Sequence, residues 1–318
     1  FSVSAGIRYS LYSYLGPHDV YHYLPGSPRR TTSITDTAHY ASGNIKTYSA
    51  PEIRVAMRYS LSDNASVKFS FNTLRQYIHT LSNTTAISPT DIWKLSDANI
   101  PPQEGYQVSL GYYHNFSNGF ETSIALYYKR IAHYLDYKSG ATLVMNKHIE
   151  TDVINTKGEA YGAEFMIKKT EGKLNGWLSY TYSSTRLRMD DPVAGEMINK
   201  ENFYPANFDK PNDLIVIFNY LLSRRFSFST NYTWSTGRPI TYPVASYHFD
   251  DMTLIHYSDR NKYRLPDYSR LDLSFKVSGN LKSRKIANPY WIFSVYNVLG
   301  RQNVYSIYFK NEKNIING

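Results

Sequence analysis

The sequence predicts an all-β chain, an antiparallel transmembrane β-barrel, on three observations. Apolar residues recur at every second position over stretches longer than the usual strand mode of about 5–6 residues. Short turns and long loops alternate along the chain, the rhythm of a barrel whose turns gather at one rim and whose loops gather at the other. Tyrosine is abundant, with 31 Tyr against 15 Phe and 4 Trp, and its ring suits a surface that is apolar in its body and wet at its tip.

The elements follow in order. Residues 1–14 alternate weakly and read as a strand; 15–50 are polar, contain Pro and Gly, and read as a loop. Residues 52–61 place Ile53, Val55, Met57, Tyr59 and Leu61 against Arg54, Ala56, Arg58 and Ser60. Ser62-Asp63-Asn64 turns the chain into a partner strand running to about residue 81, and 82–104 form a second loop around Trp93. The clearest hairpin is 106–128, where Ser117-Asn118-Gly119 supplies the positive φ that a short turn needs. Its second strand runs on to about Asp136, and 138–158 form a loop. Strands 159–169 and 174–187 meet across Glu171-Gly172-Lys173, and strands 212–222 and 226–235 meet across Ser223-Arg224-Arg225. Loops cover 188–211 and 237–266; strand 268–277, a basic turn at 280–288 and a last strand 290–309 complete about eleven strands.

A β structure in lipid must pair every backbone N–H and C=O, so it must close on itself. Its outer face needs alternate apolar residues over about 25 Å with aromatic girdles at both rims. Tyr59, Tyr106, Tyr128, Trp177, Tyr182, Trp234 and Trp291 fit such girdles. The opposite face carries Arg54, Arg58, Glu121, Glu164, Arg270, Asp272 and Lys276, charges that are costly in a dry core and at home in a wet lumen. No run of about 18 apolar residues exists, so no transmembrane helix is expected. The absence of cysteine removes disulfides, thiolate metal sites and cysteine catalysis.

Net charge is +9, which suits anionic partners. The Lys and Arg are scattered, however, and the aromatics follow strand alternation, so nucleic acid is not expected as a partner. No GxSxG, HExxH, P-loop or dinucleotide fingerprint is present, so neither an enzyme nor a cofactor is expected. Asp209 and Asp213 sit among turn residues with no matched partner in the sequence. His248, Asp250, Asp251, His256 and Asp259 share one loop; a solvated polar loop is preferred there over a metal site, and no metal is expected. Trp93, with Asp91, Lys94 and Asp97, reads as an amphipathic turn sealing the loops or as a ligand lid. The first residues start inside a strand and the last stop without a closing element, so a piece of a longer protein is expected.

Several stretches resemble one family. Tyr161-Gly162-Ala163-Glu164-Phe165 looks like the GxE strand motif of TonB-dependent outer-membrane receptors. Tyr204-Pro205-Ala206-Asn207-Phe208-Asp209-Lys210-Pro211 resembles their P…D.P passage from loop to strand, and Gly237-Arg238-Pro239 their GxP. Tyr268-Ser269-Arg270-Leu271-Asp272-Leu273-Ser274 and Val295-Tyr296-Asn297-Val298-Leu299 resemble two late-strand signatures. The likeness covers nearly the whole chain, in the style of Bacteroidetes receptors.

The resemblance implies a 22-stranded barrel around a plug. Residues 1–318 would form one domain, the C-terminal portion of that barrel, about 11 of its 22 strands, with short periplasmic turns, long extracellular loops and the plug outside this chain. It further implies a Gram-negative outer membrane and import of a scarce solute with TonB-coupled energy. The implied partners are the plug, the remaining strands, TonB acting through the plug, outer-membrane lipid with lipopolysaccharide, and a siderophore, cobalamin, glycan or peptide. Trp93, Arg238, Tyr242, Tyr247, His248 and Tyr257 would lie on ligand-docking loops. Arg54, Arg58, Glu121, Glu164, Arg270 and Asp272 would face the lumen and plug, where Arg54 and Arg58 meet plug carboxylates or steer an anionic substrate. A passive porin-like channel and a structural or adhesive barrel are the rival readings.

Overall fold

Alternation, once paired across strands, builds a two-faced wall. The computed structural model describes residues 1–81, 92–143, 145–249, 252–279, 289–305, 307, 309–312 and 315–317. Its main sheet contains β1 (Ser2–Leu15), β2 (Asn44–Ser60), β3 (Ala65–Gln76), β4 (Gln103–Asn115), β5 (Phe120–Tyr137), β6 (Val153–Lys169), β7 (Leu174–Met189), β8 (Asn212–Leu221), β9 (Phe226–Ser235), β10 (Tyr268–Ser278) and β11 (Tyr290–Val295). Each pairs antiparallel with the next in chain order, and the two-residue strand Tyr204–Pro205 joins at β7.

The register turns the sequence pattern into continuous rows. Tyr59, Val67, Tyr112, Ile124, Phe165, Tyr180, Leu214 and Trp234 face one another across β2 to β9. One residue along, on the opposite face, run Arg58, Lys68, Gly111, Ala125, Glu164, Thr181, Asp213 and Ser235. The first row is an unbroken apolar band, with Tyr59 57 % and Ile124 48 % exposed. The second is polar, charged or small. This is the apolar-out, polar-in arrangement of a membrane barrel wall.

Four of the turns at one end are each four residues long, at 61–64, 116–119, 170–173 and 222–225. Gly119 (φ +77) and Gly172 (φ +91) take left-handed conformations there. At the other end lie the long connections 16–43, 77–102, 138–152, 190–211 and 236–267.

Three expectations are corrected. The loops hold hairpins of their own, pairing His18–Tyr23 with Ile34–Tyr40, Ile78–Leu81 with Ile92–Leu95, and Pro243–Phe249 with Met252–Tyr257. The strand expected from residue 52 begins at Asn44, because its first residues pair with β1 where one face meets the loops and the other lies beyond the regular apolar band, so no strict alternation is required. The last strand ends at Val295 rather than 309, since Asn297 (φ 51) and Gly300 (φ 62) turn the backbone. The turn expected at 280–288 lies outside the described residues.

Burial concentrates at the loop end. Ile154, Leu187, Ala194, Ile198, Tyr204 and Ala206 form one cluster; Leu81, Ile100, Leu135, Ile149 and Val153 form another. Along β6 the inner-face residues Thr156, Gly158 and Ala160 are buried, while Lys157 and Glu159 on the outer face are partly exposed. The loops therefore cover the polar face.

Candidate ligand-facing canopy and lumen wall

Position 162 sets the shape of the inner wall. Gly162 pairs with Tyr127 and Ser183. A Cβ on Gly162 would lie 2.5 Å from the Tyr182 carbonyl oxygen and 2.8 Å from the Tyr127 ring. Glycine lets that ring lie across the neighbouring strand, so the GxE motif has a packing cause.

The lumen candidates take their places by parity. Arg54 stands between Gly6 and Asn72, 4.0 Å from the buried Glu52 carboxylate. Arg58 lies directly opposite Lys68, a like-charged pair. Glu121 is opposite Lys168 and ion-paired with it at 3.3 Å. Glu164, exposed, is opposite Ala125 and Thr181. Arg270 Nε donates to Asp272 at 2.9 Å, and the same carboxylate accepts the Asn297 N–H at 2.8 Å. That bond joins the two late-strand signatures. Trp177 is corrected: its register places it opposite Lys168 and Ile217, on the face of Glu121 and not on the outer girdle.

Most of the loop candidates are exposed. Trp93 is 59 % exposed on the 78–95 hairpin. The base of this hairpin is docked by Tyr12 and Tyr48, whose hydroxyls donate to the Ser96 and Asp97 carbonyls at 2.8 and 2.6 Å. Lys94 pairs with Asp97 at 2.6 Å; Asp91 lies outside the described residues. Opposite Lys94, His79 is buried and its Nε2 lies 3.1 Å from Ser96 Oγ. Burial pushes its imidazole pKa down, although Asp97 opposes the shift. Tyr242, Tyr247 and Tyr257 share the 236–267 loop and are exposed, whereas Arg238 is half-buried at its base. The Tyr242 ring packs against Tyr263 and Phe309 at 6.0 and 5.1 Å. Among the described residues no hydrogen bond or ring contact joins Trp93 to that loop. The His248 side chain, Asp250 and Asp251 lie outside the described residues, and among those described no group of three metal-ligating side chains gathers.

The loops are knitted by three buried carboxylates that the sequence did not single out as anchors. Asp209 accepts the Thr185 N–H at 2.6 Å and pairs with Arg264, correcting its reading as an unpartnered turn residue. Arg264 Nη1 also donates to the Asp209 and Gly237 carbonyls, both at 3.0 Å, so the P…D.P and GxP motifs meet on one guanidinium. A Cβ on Gly237 would lie 1.7 Å from the Leu265 carbonyl oxygen. Asp136 accepts from Arg260 at 3.0 Å and from the Tyr204 hydroxyl, and burial followed by the Asp136 charge pushes that hydroxyl pKa up. Asp191 pairs with Arg29 at 3.4 Å, and Tyr23 of the first loop donates to Glu150 of the third at 2.7 Å.

These contacts define a class: a membrane barrel wall, apolar outside and polar inside, capped at one end by a cross-linked loop canopy. A family model described as "TonB dependent receptor-like, beta-barrel" matches residues 1–298, and the chain belongs to that family. It is an outer-membrane protein of a Gram-negative bacterium, and its family is one of receptors and transporters rather than enzymes. Among solved structures, it is similar to Pseudomonas aeruginosa FpvA bound to heterologous pyoverdines, with 14 % identity and TM-score 0.53 over 82 % of this chain and 31 % of that one. It also matches the P. aeruginosa ferripyoverdine receptor of the outer membrane, with 13 % identity and TM-score 0.49 over 84 % and 30 % of the two chains. The chain thus spans about a third of the length of those solved chains. No curated protein sequence matches it.

Proposed function

We propose that the chain forms the C-terminal part of the barrel and the extracellular canopy of a receptor that captures a scarce solute and imports it with TonB-coupled energy. The observation that carries this reading is the canopy. Five loops from one end of the sheet are joined over the polar face by ion pairs and hydrogen bonds between distant strands. An open pore needs no such cross-linked cover. A receptor does, because ligand groups must be held in fixed geometry before transport, and preorganised contacts reduce the ordering cost of binding. The first and last sheet strands pair on the remaining side with further strands of a closed barrel, since exposed strand edges do not occur in lipid. A plug lies against the wall that carries Arg54, Arg58, Glu121 and Glu164, and energy enters through it. Pulling releases the ligand only where the opened state binds it more weakly than the closed one.

The test is growth and uptake. A deletion strain is grown on limiting iron, cobalamin or glycan, and labelled solute is followed with and without a protonophore. Loss of growth on one nutrient, with uptake abolished by the protonophore, supports the reading. Uptake that persists at full rate without energy, or no defect on any nutrient, refutes it.

A further inference from the structure

The canopy holds an open, shallow cationic recess, and three of its four cations take no part in the anchoring pairs. Arg29, Arg30, Lys138 and Lys147 converge there with Thr142 and Asp152 around ≈ 540 Å³ of space. Its walls come from the loop joining β1 to β2 and the loop joining β5 to β6. On a flat sheet those strand pairs lie more than 10 Å apart, at about 4.8 Å per strand spacing. Their loops meet at the loop end of the sheet, where Lys138 donates to the Arg29 carbonyl, so the recess is a feature of the canopy.

Its charges are unevenly committed. Arg29 is held by Asp191 at 3.4 Å and by the Asn99 carbonyl at 3.1 Å. Asp152, the acidic lining residue, is turned inward: its Oδ2 accepts from the Thr142 N–H at 3.0 Å and from Asn146 Nδ2 at 2.9 Å. The Lys138 ammonium reaches only the Arg29 carbonyl, at 3.3 Å, with no carboxylate within ion-pair distance among the described residues. Arg30 and Lys147 likewise form no ion pair among the described residues, and both are exposed at the mouth. Burial lowers the Lys138 pKa, while Asp191, Glu196 and Asp152 act the other way. An arriving anion would oppose that lowering.

We propose that this recess binds the acidic groups of the imported solute, carboxylates or phosphates borne in twos or threes, with Lys138 at its floor and Arg30 and Lys147 at its rim. The chemistry is that of paired cations on a multiply charged anion: strong charge-assisted hydrogen bonds and a field that gathers anions at a concave, partly desolvated surface. Arg29 takes no direct part and positions Lys138 through its carbonyl. The inference rests on the receptor reading and narrows it, since a neutral glycan has no use for such a recess.

The experiment uses the full receptor in detergent micelles, titrated calorimetrically with citrate and, separately, with inorganic phosphate, at low and at physiological salt. Citrate is expected to bind with an affinity that falls as salt rises. Lys138→Gln, and Arg30→Gln combined with Lys147→Gln, are each expected to weaken it about tenfold or more. Lys262→Gln, on another loop, is expected to leave it unchanged, and the heat-modifiable gel shift of each variant reports an intact barrel. Tighter binding of citrate than of phosphate assigns carboxylates as the preferred group; the reverse assigns phosphates. No binding of either anion, or binding equal in the variants, overturns the proposal. Energised uptake of a neutral solute with unchanged kinetics in the variants overturns it too, and leaves the receptor reading standing.

Discussion

Removing Arg264 tests whether the canopy is held by its buried carboxylates. The Asp209 side chain is 3 % exposed and its Arg264 partner 31 %. Arg264→Ala leaves a buried carboxylate with the Thr185 N–H as its remaining donor among the described residues, and it strips the Gly237 and Asp209 carbonyls of theirs. Losing one member of a buried pair costs about 3–5 kcal/mol. Water can follow into the space vacated by the half-exposed arginine, so the lower figure applies, about 3 kcal/mol or on the order of 10²-fold in the local opening equilibrium. Asp209→Asn is milder, about 1–2 kcal/mol, because the freed guanidinium can hydrate and the amide still accepts from Thr185. The measurement is amide exchange of 204–211 and 237–240 in micelles, with β5 to β7 as an internal reference. Protection is expected to fall in those segments and to hold in the strands. The double variant is expected to lose less than the sum of the two single losses, since each change removes the same interaction. Unchanged exchange in Arg264→Ala, or strictly additive losses, would refute the clamp.

Three further outcomes follow from the geometry. Gly162→Ala pushes a Cβ against the Tyr182 carbonyl oxygen at 2.5 Å, which a strand cannot yield cheaply; a loss of about 1–3 kcal/mol should lower the midpoint of heat-modifiable gel migration, and an unchanged midpoint would count against the packing account. His79 has a folded pKa below its ordinary 6.5, so the opened hairpin takes up a proton that the folded one refuses. Stability of the paired segments 78–81 and 92–95 is therefore full above pH 6.5 and declines as pH falls through and below it; their amide protection, taken relative to the intrinsic exchange rate at each pH, should fall on acidification in the parent and hold in His79→Gln. Glu121→Gln breaks an ion pair whose side chains are 43 % and 41 % exposed; it should shift the same gel midpoint by less than an equivalent of about 1 kcal/mol, and a larger shift would show a coupled network.

Different parts of the molecule were legible in the sequence to different degrees, for physical reasons. The turns near 63, 118, 172 and 224 were plain because lipid enforces strict alternation right up to the point where the chain reverses. Above the membrane both faces of a strand meet water or loop, alternation lapses, and the start of β2 and the loop hairpins disappeared into polar composition. Asn297 was visible only as part of a motif, although its left-handed φ is what ends β11. The canopy clamps were invisible, since Asp136 and Arg260 lie 124 residues apart and nothing local marks either as half of a pair. Trp177 was misplaced because tryptophan near a strand end suggests a girdle, while only parity from its neighbours fixes the face.

The length of β5 has a consequence of its own. Its 18 residues at about 3.3 Å each make about 59 Å of strand. Tilted at about 40°, that is about 45 Å of height, of which the apolar layer takes about 25 Å. Since the turn before β5 is tight, most of the surplus, about 20 Å, stands as a chimney on the loop side of the apolar layer. The canopy is thus raised like a crow's nest, its clamps working about 20 Å clear of the apolar layer.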